Sequence, residues 1–215
     1  MKKKILFIFG TRPEAIKLFP LILKLKNSFN LKICSTTQHR EMLDQVFDLF
    51  NISADFNLNI MKRNQDLFHI TSKAINDLKK VLLKTKPNLV IVQGDTSSAF
   101  AGALSSFYLK IPLAHIEAGL RTNKKYSPFP EEINRQLISR ISEFNFCPTR
   151  LSKKNLIKEG IKNNVYITGN TVIDCIKLLK YKIDNYKFKN KILSNNFNYI
   201  DDCFKKKVIM ITIHR

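Results

Sequence analysis

Three acidic residues stand just beyond apolar runs: Asp95 after "PNLVIVQG", Glu117 closing "IPLAHIE", and Glu131 past two prolines in "YSPFPEEINR". Two basic residues, Arg12 and Lys17, follow another such run in "FGTRPEAIK". Carboxylates gathered in one partly desolvated place disfavour each other's charge, so one can act as an acid while another acts as a base. Cations beside them imply an anionic substrate. A last apolar run, "KKVIMITIH", delivers His214 and Arg215. Strand ends in open α/β sheets face the ligand, so this pair too is placed for chemistry.

Each residue also has a plainer reading. Asp95 is a preferred N-cap for a following helix, and Glu117 with Arg121, four residues on, suits a surface ion pair. Glu131 and Glu132 complement the dipole of the helix they open. Thr11 and Glu14 have capping-box spacing, which leaves Arg12 as a cation at a helix N-terminus, a cradle for phosphate or carboxylate. What favours chemistry is convergence, because parallel strands send all these turns to one edge of a sheet.

The elements that would position them alternate along the chain. "KILFIFG", "LKICSTT", "PNLVIVQG", "IPLAHIE", "EFNFCP" and "NNVYITG" read as strands. Between them "PEAIKLFPLILKLK", "REMLDQVFDLF", "DLFHITSKAINDLKKVLLKT", "SSAFAGALSSFYLK", "EEINRQLISRIS" and "RLSKKNLIKEG" carry helical periodicity. Near-continuous apolar strands alternating with helices mean a parallel sheet covered on both faces, an α/β doubly wound, Rossmann-like fold. It is expected over residues 1–168. Residues 169–206 begin as an amphipathic helix and degrade into a polar Lys/Asn/Tyr connector, and 207–215 read as the first strand of another domain.

Composition narrows the classes. Of the 215 residues 44% are hydrophobic, enough for one core of ordinary domain size. Cys34, Cys147, Cys175 and Cys203 stand far apart without metal-ligand spacing, so buried thiols in a reducing cytoplasm are expected, with no metal site. No apolar run approaches membrane-spanning length. The net charge of +20 comes from 37 Lys+Arg against 17 Asp+Glu. It is scattered lysine without an aromatic-basic motif, so no nucleic-acid partner is expected. No Gly-x-Gly-x-x-Gly follows a strand, which counts against a nicotinamide cofactor.

At these residues the sequence resembles the bacterial non-hydrolysing UDP-N-acetylglucosamine 2-epimerases. The likeness runs through "FGTRPEAIK", "QHREMLDQVF", "QGDTSSAF", "HIEAGLRT", "YSPFPEEINRQ", "ITGNTVID" and "ITIHR", from Ile5 to Arg215. It implies the N-terminal half of a two-domain, GT-B-like architecture, a UDP-sugar substrate, no cofactor or catalytic metal, a cytoplasmic setting and a homodimer in the full-length family. It also implies interconversion of UDP-GlcNAc and UDP-ManNAc for surface polysaccharides. The elimination of UDP gives 2-acetamidoglucal, and UDP then adds back. By motif, Asp95, Glu117, Glu131 and His214 match the catalytic residues, and Arg12, Lys17 and Arg215 match substrate-binding ones. Gln38 and Glu41 match a second, regulatory UDP-GlcNAc site of some members. Family members continue past this His-Arg pair into a second Rossmann-like domain, so this chain alone is expected to be impaired or inactive. The alternatives are a GT-B glycosyltransferase and a non-catalytic domain that only associates with partners.

Overall fold

A computed structural model describes residues 2–36, 40–60, 66–184 and 211. The chain divides into two compact units, residues 1–175 and residues 176–215. In the first, β1 (Lys4–Phe9), α1 (Arg12–Leu25), β2 (Asn30–Ser35), α2 (Arg40–Phe50) and β3 (Phe56–Asn57) lead to α3 (Leu67–Thr85). Then come β4 (Leu89–Gln93), α4 (Ser97–Tyr108), β5 (Leu113–Ile116), α5 (Glu131–Ile141), β6 (Phe144–Cys147), α6 (Arg150–Lys158) and β7 (Val165–Ile167). Helix α7 (Thr171–Asp184) starts in the first unit and continues into the second. Beyond α7 only Ile211 is described, so the expected connector and the strand over 207–215 otherwise lie outside the described residues.

The described strands form one parallel sheet in the order β3-β2-β1-β4-β5-β6-β7. This is the doubly wound class expected, with one strand more. The sequence pattern missed β3, whose two residues are too few to show a period. Strand order reverses between β1 and β4, and at such a switch point the turns leaving the strands diverge to open a crevice.

Both faces of the sheet are covered, which is why its central strands read as unbroken apolar runs. On β1, Leu6 and Ile8 point into a core shared with Leu78 and Leu82 of α3, Ala99 and Ala103 of α4, and Ile138 of α5. The alternate residue Phe9 packs with Phe19 of α1 and Phe47 of α2, and Phe19 meets Phe50 edge-on at 5.3 Å. Helix α4 is built of small residues, so it lies close on the sheet. A Cβ at Gly102 would come within 3.1 Å of Ile8 and 3.3 Å of Val92. That approach seats α4, which follows the turn that carries Asp95, close against β1 and β4. Among the described residues no helix is long and apolar enough to cross a membrane.

Candidate functional site

The turns after β1, β4 and β5, together with the start of α5, build a cluster at the carboxyl edge of the sheet. The β1–α1 turn is closed by Glu14, which is fully buried. Its Oε2 accepts from the Gly10 and Thr11 amides at 3.0 and 2.8 Å and from the Thr11 hydroxyl at 2.7 Å. Its Oε1 accepts from Thr96 Oγ1 at 2.7 Å, which ties this turn to the one leaving β4. Burial raises the Glu14 pKa, with the four donors pulling against it. Gly10 has no room for a side chain, because a Cβ would stand against the hydroxyls of Thr36 and Ser98.

Glu117 sits just past β5 with φ +68°, a left-handed backbone unusual for a residue with a side chain. Its carboxylate is gripped on all sides. Lys17 Nζ lies 2.8 Å from Oε1 and 2.7 Å from Oε2, Gln93 Nε2 donates to Oε2 at 2.6 Å, and Asn170 Nδ2 donates to Oε1 at 3.0 Å. Asn170 also accepts from the Val172 amide at 3.1 Å, so it anchors the start of α7. The surface pair of Glu117 with Arg121 does not form. Arg121 instead makes a bidentate pair with Glu159, at 2.6 Å from Nε and 2.8 Å from Nη2.

Asp95 is not the N-cap of α4; Thr96 is, its hydroxyl accepting from the Ala99 amide at 3.1 Å. The Asp95 carboxylate is free of that task and pairs through Oδ2 with Arg135 Nη2 at 2.6 Å. Burial raises its pKa; Arg135 opposes the shift, Glu131 and Glu117 reinforce it, and Lys17 opposes it. Those couplings put all three carboxylates and two cations in one electrostatic neighbourhood.

The neighbours Glu131 and Glu132 have separate fates. Glu132 is fully buried and accepts from the Thr122 and Asn123 amides at 3.0 and 3.2 Å and from Gln136 at 3.1 Å. Burial alone would raise its pKa, but these donors outweigh it and hold it low. It clamps the loop before α5. Glu131 Oε2 is buried and accepts no hydrogen bond among the described residues, close enough to Asp95 to bear on its charge. Arg12 is exposed and makes no ion pair among the described residues. Glu41 lies in the first turn of α2, while Gln38, His214 and Arg215 fall outside the described residues.

Sequence reasoning missed Gln93, Arg135, Asn170 and His115. Two of them carried a signal, since Gln93 and His115 are polar side chains inside strands expected to be buried on both faces. His115 is wholly buried, its Nε2 2.7 Å from the Gly94 carbonyl oxygen and its Nδ1 3.0 Å from the Ser139 hydroxyl. A carbonyl only accepts, so Nε2 carries the proton and Ser139 donates to Nδ1. Burial pushes the imidazole pKa down to about 4 from 6.5; the Gly94 bond opposes this, and Arg121 and Arg135 reinforce it.

Acid lability follows. Above pH 6.5 the ring is neutral in folded and unfolded chains alike. Between 6.5 and 4 the unfolded chain takes up a proton that the folded chain refuses. The contribution of His115 to stability should therefore fall by roughly 3 kcal/mol as pH drops through that window. Urea unfolding at pH 7 and pH 4.5 should show this loss, and His115→Gln should flatten it. An equal loss in the variant would rule His115 out as its source.

Among the described residues no three His, Cys, Asp or Glu side chains are arranged as metal ligands. The arrangement suits proton transfer at a group whose partner is an anion: carboxylates with unlike surroundings, cations beside them, and an exposed guanidinium at a helix start.

Comparison with known proteins agrees with that chemistry. The model of a family described as UDP-N-acetylglucosamine 2-epimerase matches residues 22–215. The UDP-N-acetylglucosamine 2-epimerase of Neisseria meningitidis serogroup A is 52% identical over 217 residues, covering 99% of this chain and 57% of that protein. The enzyme of the same name from Escherichia coli K12 is 45% identical over 99% of this chain and 57% of its own length. In three dimensions the chain is similar to the N. meningitidis UDP-GlcNAc 2-epimerase crystallised with UDP-GlcNAc, with a TM-score of 0.87 at 51% identity over 93% of this chain and 54% of that one. Acinetobacter baumannii MurG, 13% identical with a TM-score of 0.56, shares the fold alone. The chain spans just over half the length of these epimerases. Across the part it spans, identity, motif order and backbone agree, and the chain belongs to the UDP-N-acetylglucosamine 2-epimerase family.

Proposed function

We propose that this chain supplies the proton-handling half of a UDP-N-acetylglucosamine 2-epimerase that interconverts UDP-GlcNAc and UDP-ManNAc for surface polysaccharide synthesis. One observation carries the reading: Asp95 lies within the fields of Glu117, Glu131, Lys17 and Arg135 at the crevice edge. Carbon 2 of the sugar is not acidic, so inversion needs coupled bond changes. A carboxylate takes the proton from carbon 2 as the bond from carbon 1 to the UDP oxygen breaks, leaving 2-acetamidoglucal and UDP. Re-addition of UDP delivers a proton to the opposite face, so two faces need two proton-handling groups.

In this reading the proton-handling groups are drawn from Asp95, Glu117 and Glu131, and His214 is a further catalytic residue near the developing anion. Arg12, Lys17 and Arg215 stabilise the departing diphosphate. Gln38 and Glu41 belong to a second, regulatory UDP-GlcNAc site. Residues 1–168 are the N-terminal domain, 169–206 a helix and connector, and 207–215 the opening strand of a C-terminal domain in a GT-B-like pair. The protein acts as a homodimer in its full-length form, without nucleic acid. Its buried free thiols, Cys34, Cys147 and Cys175, favour the cytoplasm.

The test is solvent deuterium. The chain, completed with the C-terminal half of the N. meningitidis relative, is incubated with UDP-GlcNAc in D2O and followed by proton NMR. The carbon-2 proton signal should vanish from both epimers. Retention of protium while the intact Neisseria enzyme exchanges fully rejects the reading, and sugar transfer to an acceptor without exchange points to a glycosyltransferase.

A further inference from the structure

Helix α5 does more than present Glu131, because it grips the Gly94–Asp95 turn at three points. Asn134 Nδ2 donates to the Asp95 carbonyl at 2.9 Å, and Arg135 Nη2 holds Asp95 Oδ2 at 2.6 Å. The third grip runs from Ser139 through the His115 ring to the Gly94 carbonyl. Glu131, Arg135 and Ser139 are spaced by four and so share one stripe of the helix. The Arg135 side chain is only 11% exposed. Its Nε donates to the Glu131 carbonyl at 3.3 Å, and its Nη1 lies 3.7 Å from Glu132 Oε2. The guanidinium is therefore itself fixed before it meets Asp95.

We infer that Arg135 is a positioning residue for the epimerisation proposed above: its guanidinium pins Asp95 by Oδ2 and leaves Oδ1 as the oxygen that handles the substrate proton. Oδ1 accepts no hydrogen bond from the described residues. Arg135 suits the task because a guanidinium stays charged throughout the accessible pH range, so the anchor does not titrate away as the carboxylate works. The inference rests on the epimerase reading for the reaction it serves, and on geometry for the pairing.

The charged groups that bear on Asp95 are Arg135 and Glu131 from α5, Glu117 from the end of β5 and Lys17 from α1. Without Arg135, burial and two carboxylates are opposed by Lys17 alone. Carbon-13 NMR titration of the Asp95 carboxyl in this 215-residue chain reads the effect directly. Arg135→Gln should raise the midpoint by about one pH unit or more, and Arg135→Lys, which keeps the charge and loses the planar fork, should recover most of it. An unchanged midpoint in folded Arg135→Gln overturns the proposal.

A second measurement needs no variant. The nitrogen-15 resonances of the Arg135 side chain should shift as Asp95 takes up its proton in the natural chain. Side-chain signals indifferent to that titration overturn the proposal even if Arg135→Gln fails to fold. Neither readout requires turnover. A failed titration removes Arg135 from its role whatever the deuterium experiment gives, whereas absent deuterium exchange with a normal titration rejects the reaction and leaves the pairing intact.

Discussion

Asp95→Asn is expected to lower deuterium incorporation at carbon 2 by about 10²–10⁴-fold in the completed enzyme, the range a positioned acid or base supplies. The fold should survive, and this contrast gives the experiment its force. Thr96 caps α4, so the cap is untouched. The backbone of the turn stays held by Asn134 and His115. Arg135 loses a charged partner, and a buried guanidinium left alone is costly. It keeps the Glu131 carbonyl and the nearby Glu132 carboxylate, and the repulsion of Asp95 by Glu117 and Glu131 is relieved. The net change in stability should be about 1 kcal/mol. Circular dichroism melting checks the second expectation and NMR exchange the first. Exchange within threefold of the natural enzyme would mean that Asp95 handles no proton.

The largest stability effect is expected at Gly119→Ala. Gly119 has φ +85°, and a Cβ there would run into the backbone carbonyl of Ser152 and come within 3.1 Å of Leu156. Asn155 Nδ2 already donates to the Gly119 carbonyl at 3.0 Å, so the loop cannot lift away from α6 without losing that bond. Conformational cost and a backbone clash together should destabilise the chain by roughly 3 kcal/mol or more. For a chain of this size that is about 10 °C in Tm. Gly160→Ala is the natural control. Its φ is +82°, with nothing among the described residues within 4 Å of an added Cβ, so it should lose only about 1 kcal/mol. Equal melting temperatures for the two variants would show that the contact with Ser152 yields at no cost.

Much of the fold was legible because burial on both faces turns central strands into unbroken apolar runs such as "ILFIF" and "LVIVQ". The acidic residues beyond those runs were legible too, since a carboxylate at a strand end stands out against apolar neighbours. Their partners were not. Local spacing suggested Asp95 as a cap and Arg121 as the mate of Glu117; the first fails because the next residue, Thr96, takes the cap, and the second because the pairing is long-range. Lys17 reaches Glu117 across 100 residues, and Thr96 reaches Glu14 across 82. Lys17, read from sequence as a cation for substrate phosphate, here sits on a carboxylate of its own chain. Arg135 offered only its position four residues after Glu131, a spacing shared by every helix.

The backbone at Glu117 leads to an evolutionary consequence. Its φ of +68° is one that glycine adopts freely and that costs a residue with a Cβ roughly 1 kcal/mol. The backbone alone would favour glycine there, yet the position holds a carboxylate contacted by Lys17, Gln93 and Asn170. Strain of this kind persists where something other than stability is selected. In a lineage released from the need for activity, position 117 could drift to glycine only together with Lys17, Gln93 and Asn170, because losing the carboxylate alone leaves their donors without a partner.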